Sequence, residues 1–180
     1  ETGIVLDSGD GCTHCIPVSD GYILQHCIER MEIAGRHITE YLVILLQKNG
    51  YCVNSSADFE LVREIKVKFC FVSCDIKSDR ELERQTSYFN SYYLLPDGSR
   101  IHLSDEKFEA PEILFNPGLV GKECVNIAEM LHNSINNCPI DSRKKLYKSI
   151  VLSGGNTLFP GFSARLENEV KNIYFQITMS

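Results

Sequence analysis

Residues 5 to 14 read VLDSGDGCTH. An apolar run, Val5 and Leu6, empties into two aspartates and two glycines, and His14 follows at once. A two-residue hairpin needs only one Asp-Gly pair, because Gly accepts positive φ and Asp bonds its own backbone. Here Asp7 precedes Ser8-Gly9-Asp10-Gly11, which is more punctuation than a turn requires. A well-made β-turn is the plain reading. A turn that holds a ligand is the sharper one.

A second stretch bears on the choice. Residues 150 to 161, IVLSGGNTLFPG, carry a buried-type strand into Ser153-Gly154-Gly155-Asn156-Thr157, and the pattern predicts a helix from Pro160. Glycine lets backbone approach a ligand, and a helix N-terminus favours anions. A valine at Gly155 would strain the chain if that position has φ > 0. The Ser8-Gly9-Asp10-Gly11 turn can itself form a nest of N–H donors for anionic oxygens. Carboxylates facing phosphates repel them unless a divalent cation lies between. Mg²⁺ keeps most of its waters and takes one or two carboxylates, so Asp7 and Asp10 are candidates to hold it through water. A neutral His14 imidazole is placed to orient a water; a polar residue on a half-exposed strand is its plainer reading.

The chain has 180 residues, 43% hydrophobic and 23% charged, with net charge −6. That composition fits a globular protein with a real core. No basic stripe supports nucleic-acid binding, and no apolar run approaches the roughly 20 residues of a membrane helix. CTHC (Cys12, Cys15) and CFVSC (Cys70, Cys74) have zinc-like spacing without a glycine knuckle, so free buried thiols are the expectation. The Asn54 sequon matters only in a secreted protein.

Strand–turn–strand is predicted through GIVLD and CTHCIPV, with a further strand in SDGYILQ. Ile38, Leu42, Leu45 and Leu46 share a helical face that Gly50 closes. A capping box at Ser55 opens a second helix through Val62, Ile65 and Phe69, and residues 75–87 form a solvated helix or loop. A hairpin centres on Pro96-Asp97-Gly98. Short helices follow near FEAPEILF and after Asp141, around a helix carrying Ile127, Leu131 and Ile135. The last helix, Pro160 to Tyr174, sets Phe162, Leu166, Val170 and Ile173 on one side, and FQITMS reads as the start of another strand. Both ends read as cuts through a larger protein. Alternating elements make the class α/β.

TGIVLDSGDGCTH, IAGRHIT.YL, LVREIK.K.C, LPDG, EKFEAPEILFNP and LYKSIVLSGGNTLFPG resemble the actin family in order and spacing. NSSADFELVREIK, LPDGSRI and FEAPE resemble the actin-related subunits of the branched-filament nucleating complex more than conventional actin. The resemblance implies an actin-like ATPase (ribonuclease H-like) fold, inner half only: subdomain 3 from 1–33 and 118–180, subdomain 4 from 34–117, with the outer half absent. It implies ATP or ADP with Mg²⁺ (or Ca²⁺), bound weakly or not at all by this portion alone. Asp7 matches the metal-side carboxylate, with Ser8, Gly9, Asp10 and Gly11 around the phosphates and His14 positioning water. Gly154, Gly155 and Asn156 lie beside the nucleotide, Arg63 and Lys66 near the adenosine, and Phe159 packs by the base.

Departures from the family pattern are equally specific. Val67 stands where a glutamate contacts the ribose, Phe159 replaces a tyrosine, and His37 stands where an aspartate is usual. Lys122 lies in the loop resembling the filament plug, and Ser19 replaces an aromatic in the partner groove. The implied function is a cytoplasmic, cytoskeletal actin-like protein that assembles with actin, actin-related proteins and actin-binding proteins. The alternative is a nuclear scaffold subunit of a chromatin-remodelling assembly. A sugar-kinase or chaperone ATPase relative is disfavoured by FEAPEILFNP.

Overall fold

The computed structural model describes residues 1–95 and 98–178. Its centre is a five-stranded mixed sheet. β1 (Gly3–Ser8) and β2 (Thr13–Ser19) form an antiparallel hairpin in which Leu6 faces Cys15 and Asp7 faces His14. Short β3 (Tyr22–Ile23) and β4 (Glu29–Met31) both pair with β2. β7 (Ile150–Ser153), from the far end of the chain, lies parallel to β1 with Leu6 opposite Leu152 and Asp7 opposite Ser153.

Alternation along β1 and β2 decides what each face carries. Ile4, Leu6 and Ser8, with Thr13 and Cys15, are buried. Val5, Asp7, His14 and Ile16 turn to the other face and stay partly exposed.

α1 (Gly35–Lys48) buries Ile38, Leu42, Leu45 and Leu46 as its spacing predicts, and Gly50 ends it at φ 89°. α2 (Ser56–Phe69) opens on the expected capping box, with Ser55 Oγ accepting from Asp58 N–H at 3.1 Å and Asp58 Oδ2 from Ser55 N–H at 2.9 Å. Residues 75–87 resolve as α3 (Ile76–Gln85), which buries no residue. β5 (Ser91–Leu94) and β6 (Arg100–Leu103) pair as the expected hairpin. Its Pro96-Asp97 centre lies outside the described residues.

Short α4 (Glu106–Glu109) and 3-10 turns lead to α5 (Ile127–Asn137) and α6 (Ile140–Lys148). A single hydrophobic cluster joins Ile4 and Leu6 to Leu42, Val62, Leu103, Ile113, Leu131, Phe162 and Val170, so both expected subdomain regions contribute to it.

Three expectations need correction. The strand in SDGYILQ shortens to two residues, because the chain turns into a 3-10 helix at Gln25–Cys27. The last helix, α7, starts at Phe162 rather than Pro160, since residues 155–158 form a 3-10 turn first. α7 also runs to Thr178, through the stretch read as a strand. There the Tyr174 ring meets Tyr147 of α6 edge-on at 5.3 Å, a tertiary contact that the β-branched and aromatic composition does not reveal.

Candidate nucleotide site

The parallel β1–β7 pairing places the ends of two glycine-rich loops side by side. At the junction the chain approaches so closely that a Cβ on Gly154 (φ 88°) would lie 2.3 Å from the Ser8 carbonyl oxygen. Gly154, not Gly155, is the position that demands glycine. Gly155 has no positive φ, and a Cβ there would meet nothing within 4 Å.

A buried chain of hydrogen bonds locks the two loops. Asn156 Nδ2 donates to Ser8 Oγ at 3.0 Å and to the Gly9 carbonyl at 2.7 Å. Ser8 Oγ meets Thr13 Oγ1 at 2.8 Å, and Thr13 Oγ1 donates to the Ile33 carbonyl at 2.8 Å. Since Thr13 spends its proton on Ile33 and Asn156 donates to Ser8, the Ser8 hydroxyl donates to Thr13. Each bond contributes about 1 kcal/mol net, and each would cost more if left half-made.

The next layer comes from α1. Gly35 N–H donates to the Gly9 carbonyl and Arg36 N–H to the Asp10 carbonyl, both at 2.9 Å. The first helical N–H groups, which need partners from outside their own helix, hold the loop in place. Lys66, only 5% exposed on α2, donates from Nζ to the Gly35 carbonyl at 2.8 Å. Burial pulls its pKa down, Asp10 opposes that shift, and Arg63 adds to it. Arg63 itself is exposed and touches Glu60.

Outward from this frame, Ser153, Asp7, His14 and Arg30 stand in one row across four strands. His14 Nε2 lies 3.6 Å from Asp7 Oδ2, beyond direct hydrogen-bond length. Its Nδ1 faces Cys12 Sγ at 3.7 Å. Asp10 meets Arg36 at 3.7 Å in a largely exposed pair, a contact that is readily exchanged.

Two carboxylates reach this face, and among the described residues no group of three or more His, Cys, Asp or Glu is gathered to hold a metal ion directly. Asp7 and Asp10 are part-exposed oxygen donors on loose contacts, appropriate for a hard cation bound through water. A Cβ on Gly11 would also meet open space, and among the described residues no hydrogen bond uses the Asp10 or Gly11 N–H.

Three other expected site residues face inward. The Ser8 hydroxyl and Asn156 amide are committed to the lock, and Phe159 is packed in the core at 8% exposure. His37 Nδ1 accepts from Ala34 N–H at 3.3 Å, a helix-capping contact that an aspartate would also make. Val67 is 73% exposed beside buried Lys66, and Lys122 is exposed after the left-handed Gly121. Cys15 and Cys70 lie in the core, while Cys12 is half-buried and Cys74 exposed, so each zinc-like pair is split by its surroundings. Thr13 and Gly35 are structural partners that sequence reading missed. For Thr13 the available signal was its inward register opposite Ser8.

The family model for actin matches residues 1–179. The chain belongs to the actin family. It is 48% identical over 175 residues to Actin-related protein 2 of Acanthamoeba castellanii, covering 97% of this chain and 45% of that protein. Actin-related protein 2 of Saccharomyces cerevisiae is 47% identical over 174 residues, covering 97% of this chain and 44% of that protein. The Arabidopsis thaliana protein of the same name is 48% identical over 178 residues, covering 99% of this chain and 46% of that protein. This actin-family chain therefore spans about 45% of the length of the curated relatives it matches. Among its described residues no helix is long and apolar enough to cross a membrane.

Proposed function

We infer that this chain forms one wall of a Mg-nucleotide site in an actin-related protein that works by assembly with actin or other actin-related proteins. The observation that carries the reading is the β1–β7 junction. There Gly11 and Gly155 border open space, and Asp7 and Asp10 offer carboxylates at the loop mouth. ATP or ADP with Mg²⁺ or Ca²⁺ is the ligand class, and the cation would screen the phosphate charge from the two aspartates.

Within this reading Asn156, Ser8 and Thr13 keep the loop backbone rigid, so its donors are preorganised. Lys66 holds the Gly35 carbonyl and adds positive charge beneath Asp10. His14, bracketed by Asp7 and Cys12, orients a water at the open face. Location at the cytoskeleton follows from the same reading. The nuclear-scaffold alternative draws support neither from the relatives nor from a residue of the site.

An NMR titration with Mg-ATP tests the nucleotide reading. If this wall supplies about half of a nanomolar binding energy of roughly 12 kcal/mol, the remaining ~6 kcal/mol corresponds to a dissociation constant on the order of tens of micromolar. Saturable shifts of the Gly9, Gly11 and Gly155 amides, dependent on Mg²⁺, are expected. Shifts confined to other surfaces, or unaffected by chelation, would refute the site.

A further inference from the structure

Two buried thiols lie outside the two glycine-rich loops. Cys27, in the 3-10 turn between β3 and β4, and Cys138, capping α5, are both free and almost completely buried. The Cys27 thiol reaches the peptide group immediately before Cys138. The surrounding bonds hold the two segments against each other. Cys27 Sγ donates to the Asn137 carbonyl at 3.1 Å, Ser134 Oγ donates to the Cys27 carbonyl at 2.7 Å, and Cys138 Sγ donates to the Ser134 carbonyl at 3.2 Å.

The other cysteines differ in setting. Cys15 sits in a central strand, Cys70 caps α2 within the core, and Cys52, Cys74 and Cys124 are exposed. The Cys27 and Cys138 pair lies one layer below the surface, since His26, Ile28, Asn137 and Pro139 beside them are all exposed.

We propose that Cys27 and Cys138 are a redox modification site that closes to an intramolecular disulfide under peroxide. One thiol attacks the O–O bond of hydrogen peroxide, giving a sulfenic acid and one water. The second thiol attacks that sulfur, the S–S bond forms, and the hydroxyl leaves as a second water. Two thiols are oxidised and one peroxide is reduced.

Burial, with Cys27 beside it, pushes the Cys138 thiol up to about 12, so the closed state holds a neutral, slow-reacting thiol. Reaction therefore runs through local opening of the short turn and the helix end, which requires no global unfolding. The bond would tie the β3–β4 turn to the α5–α6 junction and close a loop on the order of a hundred residues.

The test uses the chain with Cys12, Cys52, Cys74 and Cys124 replaced by serine, since these more accessible thiols react first. After native treatment with hydrogen peroxide and alkylation of free thiols, peptide mapping should find a Cys27–Cys138 cross-link. Tm should rise by up to about 10 °C and return on reduction. Cys27→Ala and Cys138→Ala should each remove the cross-link. If either variant fails to fold, the alkylation pattern of the parent chain decides alone. Both thiols remaining free at full peroxide consumption, a cross-link to a different cysteine, or closure only in denaturant would each overturn the proposal.

Discussion

Asn156 and Ser8, 148 positions apart, meet through a 3.0 Å hydrogen bond from Nδ2 to Oγ, and the same amide reaches the Gly9 carbonyl at 2.7 Å. One side chain thus couples the two glycine-rich loops. Asn156→Ala should destabilise the chain by about 2 kcal/mol, because two buried acceptors lose a donor. Asn156→Asp should be worse, placing an acceptor against acceptors. Urea denaturation measures both, and wild-type midpoints would show that the amide does not couple the loops.

Gly154 and Gly155 should separate sharply. Gly154→Ala combines φ 88° with a clash against Ser8 backbone, and is expected to cost more than about 3 kcal/mol. Gly155→Ala meets open space and should leave stability nearly unchanged. Gly155→Val should spare the fold and, if the proposed nucleotide site is right, weaken Mg-nucleotide binding, because its side chain enters open space beside the loop. Thermal denaturation alongside nucleotide titration reads both effects.

Asp7→Asn and Asp10→Asn should each shift Tm by no more than about 4 °C, since both carboxylates are part-exposed and loosely paired. Magnesium dependence of the loop-amide shifts should disappear in the double variant. A large thermal loss in either single variant would make these aspartates structural instead.

Lys66 makes a prediction about alkaline pH. Burial lowers its pKa in the folded state, so between that value and the ordinary lysine value the unfolded chain binds more protons. Stability linked to Lys66 therefore rises with pH across that window. Cys15 and Cys70 act oppositely: burial raises each from 9.0 to about 12, and stability linked to them is lost as pH climbs through that range. The difference between wild type and Lys66→Met isolates the lysine. Stability of wild type relative to the variant should increase as pH rises toward the ordinary lysine value of 10.5, and a flat or falling difference contradicts the assignment.

Local patterns determined a good part of this molecule. Alternation in GIVLD and CTHCIPV specified which side chains enter the core, Ser55 and Asp58 specified where α2 begins, and the apolar spacing of α1 specified its buried face. These are short-range steric and hydrogen-bonding choices made within a few residues. The exposed or half-exposed placement of Asp7, Asp10, Gly11 and His14 was legible for the same reason, from strand alternation and the turn between β1 and β2.

Tertiary structure alone decided the rest. Which glycine must be glycine depends on the approach of Ser8 from the other end of the chain, so Gly154 and Gly155 were indistinguishable by sequence. The inward commitment of Asn156, the burial of Lys66 under Gly35 and the continuation of α7 past Tyr174 all arise from contacts between distant segments. Composition and periodicity record a residue's tendency to be buried, but not its partner. A parallel pairing between strands almost the whole chain apart supplies that partner, and it brings two ordinary loops together.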